Sequence, residues 1–276
     1  MTTATITTLS RTIDEWILRL QTYSKEKKKE MKMLHEKVAL VTGASRGIGR
    51  AVAERLGKEG ASVVVNYATK AKEAEEVVAT VQSQGGQALA LQADVGKTKD
   101  IQSLFEQTVA HFGKIDILIN NAGILYTQPI AEITEEDFDE VFAVNVKAVF
   151  FACQQAAQRM SKGGRIINLS STVTSLMFPN YGLYAASKGA VEQITRVLAK
   201  ELGGQEITVN AVSPGPTDTE LFRHGKTEEQ IGNLAQMSAF GRLGEPLDIA
   251  DVIAFLVSDE ARWISGQNIR VNGALA

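Results

Sequence analysis

The chain has 276 residues, 44 % of them hydrophobic and 22 % charged, with a formal net charge of -3. That balance suits one α/β domain able to bury a sizeable core, and it gives no electrostatic reason to expect nucleic acid or an anionic membrane as partner. A single cysteine, Cys153, excludes an intramolecular disulfide and a cysteine metal cluster, and His35, His111 and His224 lack metal-ligand spacing, so no metal is expected.

Residues 1–36 read as an extension, helical or disordered, attached to the fold. Ile13, Trp16, Ile17 and Leu20 recur at the spacing of an amphipathic helix, and a charged run over 25–30 follows. A partner- or membrane-touching helix, a targeting peptide and an upstream start before Met31 or Met33 all fit this segment. From Lys37 a regular alternation begins. Val38–Thr42 is the short apolar run expected of a strand buried on both faces. A glycine-rich turn and a helix over about 48–58 come next, then a strand at 62–67 and a helix at 71–84 closing on Gly85-Gly86. Strand 88–92, helix 99–112 and strand 115–120 continue the pattern. Thr134 caps a long helix that carries acids in its first turn, where the helix dipole favours them. Strand 165–169, helix 184–202, strand 207–212, helix 247–257 behind Pro246, and strand 268–271 complete it. Repeated strand–helix units of this size predict a single-domain, doubly wound Rossmann fold over 37–276, with seven parallel strands flanked by helices. No stretch approaches the ~18 uninterrupted apolar residues of a membrane span, and a cytoplasmic location is expected.

In such a sheet, ligands bind beyond the carboxyl ends of the strands. The first strand ends in Thr42-Gly43-Ala44-Ser45-Arg46-Gly47-Ile48-Gly49 and feeds a helix. Glycines there permit a tight turn and a close approach of backbone to a pyrophosphate, and the helix offers unpaired N–H groups. The second strand ends at Asn66-Tyr67 with no acid to hold a ribose 2′-hydroxyl, while Arg46 and Lys70 are at hand. A neutral Asn66 tolerates a 2′-phosphate and Arg46 can pair with it, so NADP(H) is favoured over NAD. Solvated surface charge is the plainer explanation of Arg46 and Lys70.

Tyr184 and Lys188 lie four residues apart, on one helix face. A tyrosine titrates near ~10, and a neighbouring cation is expected to lower that value, making Tyr184 a better general acid or base. Ser171 stands at the carboxyl end of the fifth strand, ready to hydrogen-bond a carbonyl oxygen. Asn145 interrupts the apolar helical run 141–151, where asparagine is a poor helix former and needs partners if buried.

Taken together, residues 37–276 resemble the short-chain dehydrogenase/reductase family. Thr42–Gly49 is similar to its TGxxxGxG motif, Asp94-Val95 to its adenine contact, and Asn120-Asn121-Ala122-Gly123 to its NNAG motif. Asn145, Ser171 (thirteen residues before the tyrosine), Tyr184 and Lys188 match its catalytic residues, and Pro214, Gly215, Thr217 and Thr219 match the segment that holds the nicotinamide carboxamide and phosphates. The resemblance implies hydride transfer from NADPH to a carbonyl carbon, with Ser171 and Tyr184 on the oxygen and Tyr184 giving the proton. It also implies that Lys188 holds the nicotinamide ribose, that Asn145 links the site to bulk water, and that the assembly is a homotetramer.

Three alternatives remain at this point. A 3-oxoacyl-(acyl carrier protein) reductase shares every motif and would need a basic landing surface, for which Lys162 and Arg165 are the candidates. A non-catalytic NADP-sensing protein could use the same fold. A sugar-nucleotide epimerase is disfavoured by glycine spacing and by the absence of a longer substrate domain. Leu125, Tyr126, Met177, Phe178, Tyr181, Leu221, Phe222, Leu234, Met237 and Phe240 are expected to wall an apolar pocket, which favours a small-molecule aldehyde or ketone as substrate.

Overall fold

The computed structural model describes residues 33–276; the amphipathic segment and charged run lie outside the described residues. Strands β1 (Val38–Val41), β2 (Ser62–Tyr67), β3 (Gln87–Gln92), β4 (Ile117–Asn120), β5 (Arg165–Leu169), β6 (Thr208–Pro214) and β7 (Asn268–Val271) form one parallel sheet in the order β3-β2-β1-β4-β5-β6-β7. The helices are α1 (Gly47–Lys58), α2 (Ala71–Ser83), α3 (Thr98–Phe112), α4 (Glu135–Phe142), α5 (Ala148–Arg159), α6 (Val173–Leu176), α7 (Gly182–Glu201), α8 (Glu220–Arg223), α9 (Glu228–Gln236) and α10 (Pro246–Leu256). This is the doubly wound Rossmann fold that the alternating pattern predicted. The chain winds outward from β1 to β3, then returns to place β4 on the other side of β1, and that reversal opens a crevice between them.

Strand periodicity divides the interior into two cores. Val63 and Val65 point to one face, where Leu56 of α1, Val77 of α2 and Ile253 of α10 meet them. Val64 points to the other, against Leu104 and Phe105 of α3, Val149 of α5 and Val191 of α7. Cys153 lies in this second core, and burial pushes its thiol up to about 12. Among the described residues no helix is long and apolar enough to cross a membrane.

Several local expectations are corrected. The fold reaches back beyond Lys37, because Leu34 is buried and its N–H donates to the Glu59 carbonyl at 3.0 Å. β4 starts at Ile117 rather than Ile115; just before it, Asp116 joins β1 both through its backbone N–H to the Val38 carbonyl at 2.9 Å and through its carboxylate, which takes the Val38 N–H at 2.8 Å. The helix capped by Thr134 runs unbroken to Arg159, as expected, but a π-helical turn at Ala143–Lys147, centred on Asn145, lies between α4 and α5. Arg165 is no part of a landing surface. It is buried in β5, with Nη1 donating to the Gly163 and Gly164 carbonyls at 2.6 and 3.0 Å and Nη2 facing Asp259 at 3.3 Å.

Candidate active site

The carboxyl ends of β1, β2, β4, β5 and β6 surround a cleft of about 420 Å³. Every residue expected at the nucleotide end lines it, from Gly43 to Thr219, and so do Ser171, Tyr184 and Lys188. Asn145 stands behind the wall.

At the nucleotide end, Gly43 adopts φ +61°, and a Cβ there would meet Ala122 Cα at 2.9 Å. The close approach is held by hydrogen bonds. Asn121 Nδ2 donates to the Thr42 and Gly43 carbonyls at 2.9 Å, and Thr42 Oγ1 accepts from the N–H groups of Asn121 and Ala122 at 3.0 and 3.1 Å. Arg46 sits extended at the start of α1 and makes no side-chain cap, so the first N–H groups of that helix remain directed at the cleft. An uncapped helix end beside a glycine turn fits a pyrophosphate.

Asn66 departs from the expectation that it faces the ribose. Its side chain turns inward, accepting from Gly43 N at 3.2 Å and donating to the carbonyls of Leu91 and Ala93 at 3.3 and 3.1 Å. It clamps the glycine loop to the end of β3, and only its neutrality bears on cofactor choice. Asp94 likewise spends one carboxylate oxygen on Gly96 N at 3.0 Å and pairs the other with Lys97 at 3.2 Å. Arg46 is not a free cation: its Nη1 lies 2.6 Å from Glu220 Oε1. Sequence reading missed Glu220, although an acid directly after Thr219 was visible.

At the other end, α7 starts at Gly182 and so carries Tyr184 and Lys188 in its first two turns. Lys188 is buried and its Nζ donates to the Leu169 carbonyl at 2.7 Å. Nζ lies 5.7 Å from the centroid of the Tyr184 ring. Burial pushes the Lys188 ammonium down to about 8. Burial pushes the Tyr184 phenol up to about 12, and a hydrogen bond from Ser171 opposes that rise. The phenol is raised rather than lowered as expected, with desolvation by burial the largest cause. Gly123 closes this corner, where a Cβ would come within 3.2 Å of Asn145 Oδ1 and 3.5 Å of Lys188 Nζ. Glycine keeps the space beside the ammonium open.

Asn145 finds its partners in the protein. Its Nδ2 donates to the Ile124 carbonyl at 2.9 Å and to Ser187 Oγ at 3.1 Å, while Oδ1 accepts from Ile124 N at 2.9 Å. Ser187 Oγ in turn donates to the Tyr184 carbonyl at 2.7 Å. Asn145 thereby ties Ile124, the residue after the NNAG segment, to the helix that carries Tyr184 and Lys188.

Of the ten residues expected to wall the substrate pocket, Leu125, Phe178, Tyr181, Leu221, Phe222 and Leu234 line the cleft. Tyr126, Met177, Met237 and Phe240 do not. The Tyr126 hydroxyl donates to Asp137, Met177 ends α6 at positive φ and is 78 % exposed, and Phe240 is 74 % exposed. Ile124, Val144, Val173 and Leu176 complete the wall; as short apolar residues within or beside helices they carried no separate signal.

A family model described as enoyl-(acyl carrier protein) reductase matches residues 43–275. A short chain dehydrogenase/reductase of Aspergillus aculeatus, AacuN, is 45 % identical, covering 87 % of this chain and 95 % of its own. The versicolorin reductase stcU of Emericella nidulans is 44 % identical over 87 % of this chain and 96 % of that protein. Among solved structures, the angucycline C-6 ketoreductase LanV with bound NADP superimposes with a TM-score of 0.84 at 46 % identity, covering 88 % of this chain and 96 % of that one. A short-chain dehydrogenase/reductase from Serratia marcescens gives a TM-score of 0.84 at 42 % identity, covering 88 % of this chain and 98 % of that one. With fold, cleft and relatives in agreement, the chain belongs to the short-chain dehydrogenase/reductase family.

Proposed function

We propose that this protein reduces a ketone or aldehyde to an alcohol, using NADPH. The observation that carries the reading is convergence: Ser171, Tyr184 and buried Lys188 meet at one end of a cleft whose other end is an uncapped helix N-terminus flanked by Arg46. The related ketoreductase solved with NADP and the related versicolorin reductase support both cofactor and reaction. NADPH, when bound, supplies the hydride. Arg46 holds the 2′-phosphate, the first turn of α1 the pyrophosphate, and Lys188 the ribose. Ser171 hydrogen-bonds the carbonyl oxygen and orients it. Tyr184, still protonated because its pKa lies near 12, donates its proton to that oxygen as negative charge develops there. Asn145 positions the helix that carries the tyrosine, through Ser187.

The carrier-protein alternative loses support, because Arg165 is buried and Lys162 is paired with Glu206 at 2.8 Å. Exposed Phe150 on α5 and Val197 on α7 support association of several copies, the tetramer the family implies, and sedimentation of the full chain tests it.

The test is a panel of ketones, aldehydes and acyl thioesters offered with NADPH and NADH, run on the native chain and on Tyr184→Phe. Loss of the general acid lowers kcat by about a hundred- to ten-thousand-fold, with NADPH binding retained. Full turnover by Tyr184→Phe would reject Tyr184 as the proton donor.

A further inference from the structure

Arg46 and Lys70, the two cations expected beside the ribose 2′ position, lie along one edge of the cleft. An acid stands with them. Glu220 opens α8, the first helix of the segment that covers the substrate end, and its Oε1 meets Arg46 Nη1 at 2.6 Å. The hydrogen bond and charge of Arg46, followed by the charges of Lys70 and His224, hold the Glu220 carboxyl below the usual range. The neighbouring residues touch as well, for a Cβ at Gly47 would come within 3.3 Å of Thr219 Cγ2. Of the other acids nearby, Asp218 pairs with Arg223 at 2.6 Å, and Glu73 pairs with Lys70 at 3.4 Å, leaving Glu220 as the acid on Arg46. Both members of the Arg46–Glu220 pair are solvent-accessible, at 46 % and 66 %. Such a pair adds little to stability, and a second anion can reach and displace it.

The Glu220 carboxylate already takes the Nη1 side of the guanidinium, so a 2′-phosphate arriving at Arg46 must displace it or share the cation with a like charge. Resting on the NADPH reading above, we propose that Glu220 is a specificity-determining residue that competes with the 2′-phosphate for Arg46. The competition is selective, since NADH carries no 2′-phosphate and need not displace the carboxylate. It also has a mechanical side. Leu221 and Phe222 follow Glu220 in α8 and line the substrate end of the cleft. Exchange of carboxylate for phosphate on Arg46 releases the start of α8 from the glycine loop, so 2′-phosphate arrival is coupled to the freedom of the substrate wall.

The test is fluorescence titration of the full-length chain with NADPH and with NADH, for the native protein, Glu220→Gln, Glu220→Ala, Arg46→Ala and the double variant Arg46→Ala/Glu220→Ala. The expected result is a fall of about two- to five-fold in the NADPH Kd for both Glu220 variants, the range an exposed ion pair supports. The NADH Kd stays unchanged, the gain shrinks as salt is raised, and no gain is seen in the Arg46→Ala background. An unchanged or raised NADPH Kd, or an equal shift for both nucleotides, overturns the role of Glu220. If the native protein still prefers NADPH and Arg46→Ala abolishes that preference, the NADPH reading survives that failure. Equal binding of both nucleotides by the native protein and by Arg46→Ala overturns the two together.

Discussion

The Lys188 ammonium donates to the Leu169 carbonyl at 2.7 Å, at the end of β5 and one residue before the loop that carries Ser171. Among the described residues no carboxylate shifts its titration; burial alone pushes it down to about 8 from an ordinary 10.5. Below about pH 8 the lysine is charged in folded and unfolded chain alike, and the burial cost is fully present. Between about 8 and 10.5 the unfolded chain binds more protons, so stability rises with pH. Relative to Lys188→Met, the native protein should gain at most about 3 kcal/mol across that window. Urea denaturation of both proteins near pH 7 and near pH 10 checks the sign.

The same titration predicts a rate profile. Reduction needs Tyr184 protonated and the neighbouring cation present. The phenol meets its condition to about 12 and the ammonium only to about 8. We expect kcat/KM for carbonyl reduction to be level below about pH 8 and to fall roughly tenfold per unit above it. A profile still level at pH ~10 would remove Lys188 from the proton-transfer step.

Replacing Asn145 by alanine deletes three hydrogen bonds in a fully buried position. The Ile124 N–H and carbonyl are then stranded. The expected loss is about 2–4 kcal/mol of stability, measured by chemical denaturation. Lower kcat with a nearly unchanged NADPH Kd should accompany it, because the tie runs to the backbone of Tyr184 through Ser187.

Asn66→Asp is the obvious design for converting the cofactor preference to NADH, and it should fail. The amide Nδ2 faces the Leu91 and Ala93 carbonyls; a carboxylate there sets like partial charges against each other in a buried site. We expect at least about 2 kcal/mol of destabilisation and no useful gain in NADH turnover. Thermal melting with parallel NADH kinetics decides the matter.

Much of this molecule could be read from the chain. The apolar runs of the inner strands, separated by helical segments, specify the sheet, because a strand buried on both faces is largely apolar, whereas the edge strands β3 and β7 are only partly buried. Ser171, Tyr184 and Lys188 follow from position, being tied to a strand end and one helix face. What stayed hidden depends on where a side chain turns. Asn66 and Asn121 line the cleft, but their side chains also make internal hydrogen bonds that the sequence does not show. Tyr126, Met177, Met237 and Phe240 have pocket chemistry but point away, since Tyr126 has a hydrogen-bond partner in Asp137 and the others sit on exposed segments. The Arg46–Glu220 pair joins residues 174 positions apart (220 minus 46), beyond the reach of any local pattern.

The bonds that Thr42 and Asn121 make across the β1–β4 crevice weld the glycine loop to the NNAG segment. The Asn145 bonds weld that segment in turn to the catalytic helix. One half of the cleft is consequently a stiff jaw that cannot be reshaped without unseating the chemistry. The opposite jaw, from Pro214 through α9, is attached at its base by the Asp218 N–H to the Gly244 carbonyl and carries its own internal ion pairs. Selection for new carbonyl compounds can redraw that half from Leu221 onward, leaving Pro214–Glu220 and the grip on the hydride donor as they were.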